Sequence, residues 1–120
     1  MRPQALWIIV MAVAIVAFQL SCTSPVLVIR AIDGDTIEVT LDGEVERVRY
    51  YSIDAPELDE PGGIEAREAN ALLIEDGVVL MLPEPGRARD VYGRLLRNVF
   101  TPDGEWIEAT LVEGGYATWR

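Results

Sequence analysis

The dipeptide Asp42-Gly43, set between two runs of strand-like residues, constrains this chain more than any other feature. Thr36-Ile37-Glu38-Val39-Thr40-Leu41 places every second side chain on one face, the pattern of a half-buried strand. Asp-Gly supplies the left-handed backbone angles that a two-residue hairpin demands, so the chain reverses there. Glu46-Arg47-Val48-Arg49-Tyr50-Tyr51-Ser52-Ile53 returns as a third strand, and Val26 to Ile32, ended by Asp33-Gly34, precedes as a first. Three strands joined by tight turns make a meander. Tyr50 and Tyr51 must point to opposite faces, so at most one of them faces a groove.

Pro56 to Gly63 reads as an acidic loop rich in Pro and Gly, in which Asp59 and Glu60 are solvated charges. Ile64 to Asp76 reads as a helix, with Ala66, Ala69, Leu72 and Leu73 on one face and Gly77 as its left-handed stop. Val78 to Leu82 is a fourth strand, broken by Pro83-Glu84-Pro85-Gly86, and Leu95 to Thr101 is a fifth. After the Pro102-Asp103-Gly104 turn, Ile107 to Glu113 forms a short helix ending at Gly114-Gly115. The expected class is β-rich α+β: a five-stranded OB-type Greek-key barrel with one helix between strands 3 and 4 and another after strand 5.

Residues 1–24 differ in character from residues 25–120, the expected folded domain. A short tip carrying Arg2 is followed by Ala5 to Phe18, an apolar stretch, and then by small and polar residues up to Pro25. This is the pattern of an export signal. As a helix the stretch reaches about 21 Å, short of the roughly 30 Å hydrocarbon core, so a membrane anchor must also use Gln19 to Cys22. Phe18-Gln19-Leu20-Ser21-Cys22 half resembles a lipobox, with Gln19 where an aliphatic residue is usual, which makes Cys22 a candidate lipidation site. A signal peptide, a lipid anchor and an uncleaved membrane anchor all remain open. Each places the domain outside the cytoplasm, in the periplasm or extracellular space.

Composition narrows the chemistry. There is no His, and the ten basic residues are all Arg, so His nucleophile activation, His bases and His metal ligands are excluded. One Cys excludes an internal disulfide and a thiolate zinc cluster. What remains is carboxylates, Arg, backbone groups and a hard metal ion. The formal charge of −10 also argues against passive binding to nucleic acid or anionic membrane, which is mostly phosphate neutralisation by bases.

Four spots set charge beside turn geometry: Asp33-Gly34-Asp35-Thr36, Arg49, Ile53-Asp54-Ala55-Pro56-Glu57, and Asp90-Val91-Tyr92-Gly93-Arg94. Each alone is an ordinary turn, cap or surface pair. In this order, with Arg49 five residues before Asp54 and Glu57 three after it, they resemble the thermonuclease family of staphylococcal-nuclease-like domains. Gly63-Ile64-Glu65-Ala66 and Leu111-Val112-Glu113-Gly114-Gly115-Tyr116-Ala117 extend the resemblance across residues 26–117.

The resemblance implies a calcium-dependent nuclease that hydrolyses DNA and RNA with little sequence preference. It implies Asp35, Asp54 and the Ala55 carbonyl as Ca²⁺ ligands, Glu57 as general base, and Arg49 and Arg94 as catalytic residues that also clamp the phosphate. Tyr92 would contact the nucleotide. None of these roles needs His, Cys or Lys. Val91 departs from the family, whose members often carry a Lys there, and so does the lack of a closing third helix, which would leave apolar surface open. The alternatives are a non-catalytic OB-type nucleic-acid or ligand binding module at the cell envelope, or a truncated inactive fragment. Nucleic acid is the expected partner, with membrane through the N-terminal segment; no protein partner is inferred and a monomer is expected. Trp106 and Trp119 are read as core residues ahead of base-stacking ones.

Overall fold

The computed structural model describes residues 23–83 and 88–120, so Cys22, the apolar leader and Glu84 lie outside the described residues. The elements are β1 (Val26–Ala31), β2 (Thr36–Leu41), β3 (Glu44–Tyr50), β4 (Ile53–Asp54), α1 (Gly63–Leu73), β5 (Val78–Pro83), β6 (Leu95–Phe100), α2 (Ile107–Glu113) and β7 (Thr118–Trp119). Five strands close into a barrel in the order β1-β2-β3-β6-β5. All its pairings are antiparallel except β3 with β6, the connection that needs the intervening helix and β5. This is the expected OB-type Greek key.

The β2–β3 hairpin forms where the sequence demands it. Asp42 and Gly43 have φ of 52° and 81°, and Leu41 faces Glu44 across the two-residue turn. β3 therefore begins at Glu44, earlier than expected, and stops at Tyr50. The expected third strand is divided there: residues 53–54 leave the barrel as β4 and pair with β7 in a separate two-stranded ribbon. The core is built from alternate positions of the strands, with Ile37, Val39, Val48, Tyr50, Val79 and Val99 fully buried, and Ile107 and Leu111 of α2 closing one end.

Three expectations need correction. Helix α1 ends at Leu73, with Ile74 capping it and Gly77 turning left-handed at φ 80° only after a further turn. Its buried residues are Gly63, Ala66 and Asn70, whereas Leu72 is 67% exposed and Ala69 and Leu73 are half-buried. Leu72, Leu73, Leu111 and Tyr116 instead border an open groove of about 420 Å³ between the helices, where apolar surface remains uncovered. Trp106 and Trp119 are not core: they are 37% and 51% exposed and pack on each other with ring centroids 5.2 Å apart.

The least expected core residue is Glu108, fully buried on α2. β3 pairs with β6 only as far as Arg97, so the Val99 N–H has no strand partner on that side. Both Glu108 carboxylate oxygens lie within hydrogen-bond distance of it, at 3.0 and 3.2 Å. Burial pushes the Glu108 carboxyl up to about 8, against the opposing pull of its own and the Val99 backbone N–H and of the Trp106 side chain. The folded chain thus keeps a proton that the unfolded chain releases near pH 4.5. The contribution of Glu108 to stability is therefore full below pH 4.5 and declines as pH rises toward 8, by at most about 1.4 kcal/mol per pH unit. Glu108→Gln should remove that slope from urea-unfolding free energies measured across the window; an unchanged slope would contradict this assignment.

Candidate active site

The site is assembled at the open end of the β1–β2 turn. Asp33 begins it by accepting the Asp35 N–H on its Oδ1 at 2.9 Å, a local Asx turn. Gly34 then passes so close to the protein that a Cβ there would lie 2.6 Å from the Ala66 Cβ and 2.7 Å from the Ala55 Cβ. The glycine serves close approach of the turn to α1 and to the β4 exit. Asp35, 6% exposed, is delivered beneath that contact.

Arg49 reaches the same place from β3, where it pairs with Thr36 across the sheet. It is 8% exposed, and nearly all its donors are committed. Nη1 donates to the carbonyls of Tyr50 at 2.5 Å and Ile53 at 2.7 Å, fixing the bend between β3 and β4. Nη2 donates to Asp54 Oδ1 at 2.5 Å and stands 3.4 Å from Asp35 Oδ2. The Ala55 N–H donates to Asp35 Oδ2 at 2.8 Å, and the Thr36 hydroxyl donates to Asp35 Oδ1 at 3.1 Å. Asp35, Arg49, Asp54 and Ala55 therefore form one bonded cluster.

One guanidinium against two carboxylates leaves this cluster negative. Burial pushes the Asp35 carboxyl up to about 6; the Ala55 N–H and Arg49 pull it back, and neighbouring Asp33 pushes it up further. A buried carboxylate incompletely matched by its guanidinium favours an added cation. The donor set fits a hard one. Asp54 is half-exposed, and its Oδ2 and the Ala55 carbonyl accept no hydrogen bond from the described residues. Two carboxylates and one carbonyl fall short of the 6–8 oxygens that Ca²⁺ takes, leaving the rest to water or phosphate. Among the described residues no group of three or more acidic side chains is placed to hold a metal ion.

Arg94 lies across the neighbouring cleft. Asp90 organises its loop, accepting the N–H groups of Tyr92 and Arg94 on Oδ1 at 3.0 and 2.9 Å and the Arg94 Nε on Oδ2 at 2.7 Å. Desolvation would raise the Asp90 carboxyl, but these bonds outweigh it and hold the group below its ordinary value. The Arg94 guanidinium carbon sits 5.4 Å from the ring centroid of Tyr92, which is 82% exposed. Arg49, Tyr51, Tyr92, Arg94 and Arg120 border a single cleft of about 210 Å³. Tyr51 is thus the member of its pair that faces a groove, while Tyr50 is buried.

Glu57 stands apart from the bonded cluster. It is exposed in the loop after β4, and its carboxylate accepts no hydrogen bond from the described residues. Its backbone, by contrast, is fixed: the Glu57 N–H donates to Glu60 Oε1 at 2.8 Å and the Glu60 N–H returns to the Glu57 carbonyl at 2.9 Å. Glu60 is therefore a local brace as well as a solvated charge. Sequence reasoning passed over Arg120, whose N–H is tied to the Ser52 carbonyl at 2.9 Å next to the β4–β7 ribbon. It also passed over Asn70, whose place on a helix gave no sign of a polar role.

The model of the family described as "Staphylococcal nuclease homologue" matches residues 47–120, which include Arg49, Asp54, Glu57 and Arg94. The chain belongs to the staphylococcal nuclease family. Among similar proteins, "SPbeta prophage-derived endonuclease YokF" of Bacillus subtilis (strain 168) is 42% identical over 94 residues, covering 73% of this chain and 31% of that protein. "Endonuclease YncB" of the same strain is 39% identical over 94 residues, covering 73% of this chain and 44% of its own length. "Protein ParB" of Escherichia coli is 37% identical over 98 residues, covering 75% of this chain and 54% of that protein. The chain thus spans roughly a third to a half of the length of these relatives.

The close approach of the Gly34 turn to α1 can be tested directly. Gly34→Ala should cost about 1–3 kcal/mol in urea unfolding, because neither facing Cβ belongs to a flexible side chain. Adding Ala66→Gly should restore part of the loss. A Gly34→Ala variant as stable as the parent would show that helix and turn are not in contact.

Proposed function

We propose that this chain is an exported, calcium-dependent nuclease that hydrolyses phosphodiester bonds of DNA and RNA with little sequence specificity. The observation that carries the reading is the bonded cluster of buried Asp35 and Arg49 with half-exposed Asp54, beside a cleft bordered by Arg49, Arg94 and Arg120. The endonuclease names of its relatives support it. Export rests on the apolar leader, and calcium on the hard oxygen donors together with the family resemblance.

In this reading Asp35, Asp54 and the Ala55 carbonyl would hold Ca²⁺, which when bound would supply Lewis-acid polarisation of the phosphate. The chain's own groups do the rest. Arg94, aimed by Asp90, and Arg49 meet the charge that grows on the phosphoryl oxygens, a planar-fork task that Lys performs poorly. Glu57, exposed and with a carboxylate that accepts no hydrogen bond from the described residues, accepts the proton of the attacking water. The water oxygen bonds to phosphorus as the bond to one ester oxygen breaks, and that oxygen leaves as an alcohol once protonated from solvent. Tyr92 offers a face to the nucleotide.

The acidic surface sets the terms of substrate capture. Without a basic rim, binding relies on a few Arg and a metal ion, so it should be weak and limited to the cleft. Purified intact chain should cleave denatured DNA with Ca²⁺ and stop when chelator is added. Glu57→Gln and Arg49→Ala should each lower the rate by about 10²- to 10⁴-fold. Cleavage indifferent to chelator, or full activity in both variants, would overturn the reading.

A further inference from the structure

We propose that the buried stripe of α1 positions the site, with Asn70 as the residue that holds the Asp33–Asp35 turn and so aims Asp35. Asn70, Ala66 and Gly63 are the buried residues of this helix, and each touches a different piece of the site. Gly63 lies against the Glu57 backbone, where a Cβ would fall 1.9 Å from the Glu57 carbonyl oxygen. Ala66 lies against Gly34. Asn70 Nδ2 donates to the Asp33 carbonyl at 2.9 Å. One helix face thus bears on the proposed general base and on the turn that carries a proposed metal ligand.

Asn70 is fully buried and is held from the other side. The Tyr50 hydroxyl donates to Asn70 Oδ1 at 2.6 Å, which orients the amide so that Nδ2 faces Asp33. Burial pushes the Tyr50 phenol well above its ordinary value, so it stays a donor. The Tyr50 N–H meanwhile donates to the Asp35 carbonyl at 2.8 Å. The carbonyls on both sides of Gly34 are therefore tied to one tyrosine, one directly and one through Asn70. Helix docking alone needs an apolar residue at this position; a buried amide with its donor on a turn carbonyl and its acceptor on a buried phenol serves alignment.

The inference rests on the nuclease reading for what Asp35 does, but its test does not. Asn70→Asp keeps the shape and the acceptor for Tyr50 while losing the donor to Asp33, and Tyr50→Phe removes only the hydroxyl. Amide hydrogen exchange on the intact chain reads the turn directly through the Asp35 and Ala55 N–H groups, both bonded within it. Those two amides should exchange about three- to tenfold faster in either variant, while Met81 and Val48 in the barrel keep their parent rates. In the cleavage assay kcat should fall with KM for DNA unchanged. Exchange that accelerates equally at all four amides, or at none, would overturn the positioning role. If Asn70→Asp fails to fold, Tyr50→Phe alone decides. Selective loss of protection in a chain that cleaves no DNA would sink the nuclease reading and leave the positioning role standing.

Discussion

The buried guanidinium of Arg49 is the interaction around which this site is organised. Nη1 fastens the carbonyls of Tyr50 and Ile53, so it shapes the bend that ends the barrel strand and starts β4. Nη2 lies between the carboxylates of Asp54 and Asp35, which come from opposite sides of that bend. The buried Arg49–Asp35 pair is a weak source of net stability, yet removing either partner leaves an uncompensated charge at a cost of about 3–5 kcal/mol. Arg49 therefore works chiefly as an assembler. It brings together two acids separated by a hairpin and leaves them with more negative charge than it can neutralise.

That surplus recasts the acidity of the chain. Taken as a bulk property, −10 argues against a nucleic-acid partner. Within the site, surplus negative charge is what a dication requires, and the Arg residues border the adjoining cleft. Charge location matters more than charge total. Asp90 adds to the arrangement by spending its own charge on the Arg94 loop, trading a carboxylate for a defined guanidinium direction.

Much of this was legible in the sequence, for reasons that differ by residue. Asp42-Gly43 announced its hairpin because left-handed angles at consecutive positions have few solutions. Asp35, Arg49 and Asp54 stand out through the family resemblance of their order and spacing, although the pairing of Asp35 with Arg49 depends on the β2–β3 register, which no local pattern gives. Helical periodicity groups Leu72 with Ala66, Ala69 and Leu73 on one face, but α1 turns Gly63, Ala66 and Asn70 inward, where that face meets backbone at the site. Glu108 was equally silent: its burial answers an N–H left without a partner where β3 and β6 part, a fact of topology alone. The tryptophans misled for the opposite reason, since two indoles can shield each other at the surface as well as in a core.

Asp35 and Asp54, brought together by Arg49, are the proposed ligands of a hard dication. Calorimetric titration of Ca²⁺ into the intact chain and into Asp54→Asn tests this assignment most directly, because Asp54 is half-exposed and its replacement should leave the fold intact. The parent chain should bind one Ca²⁺, and the variant should bind it at least about tenfold more weakly. A folded parent chain that binds no Ca²⁺, or a variant that binds it equally well, would contradict it.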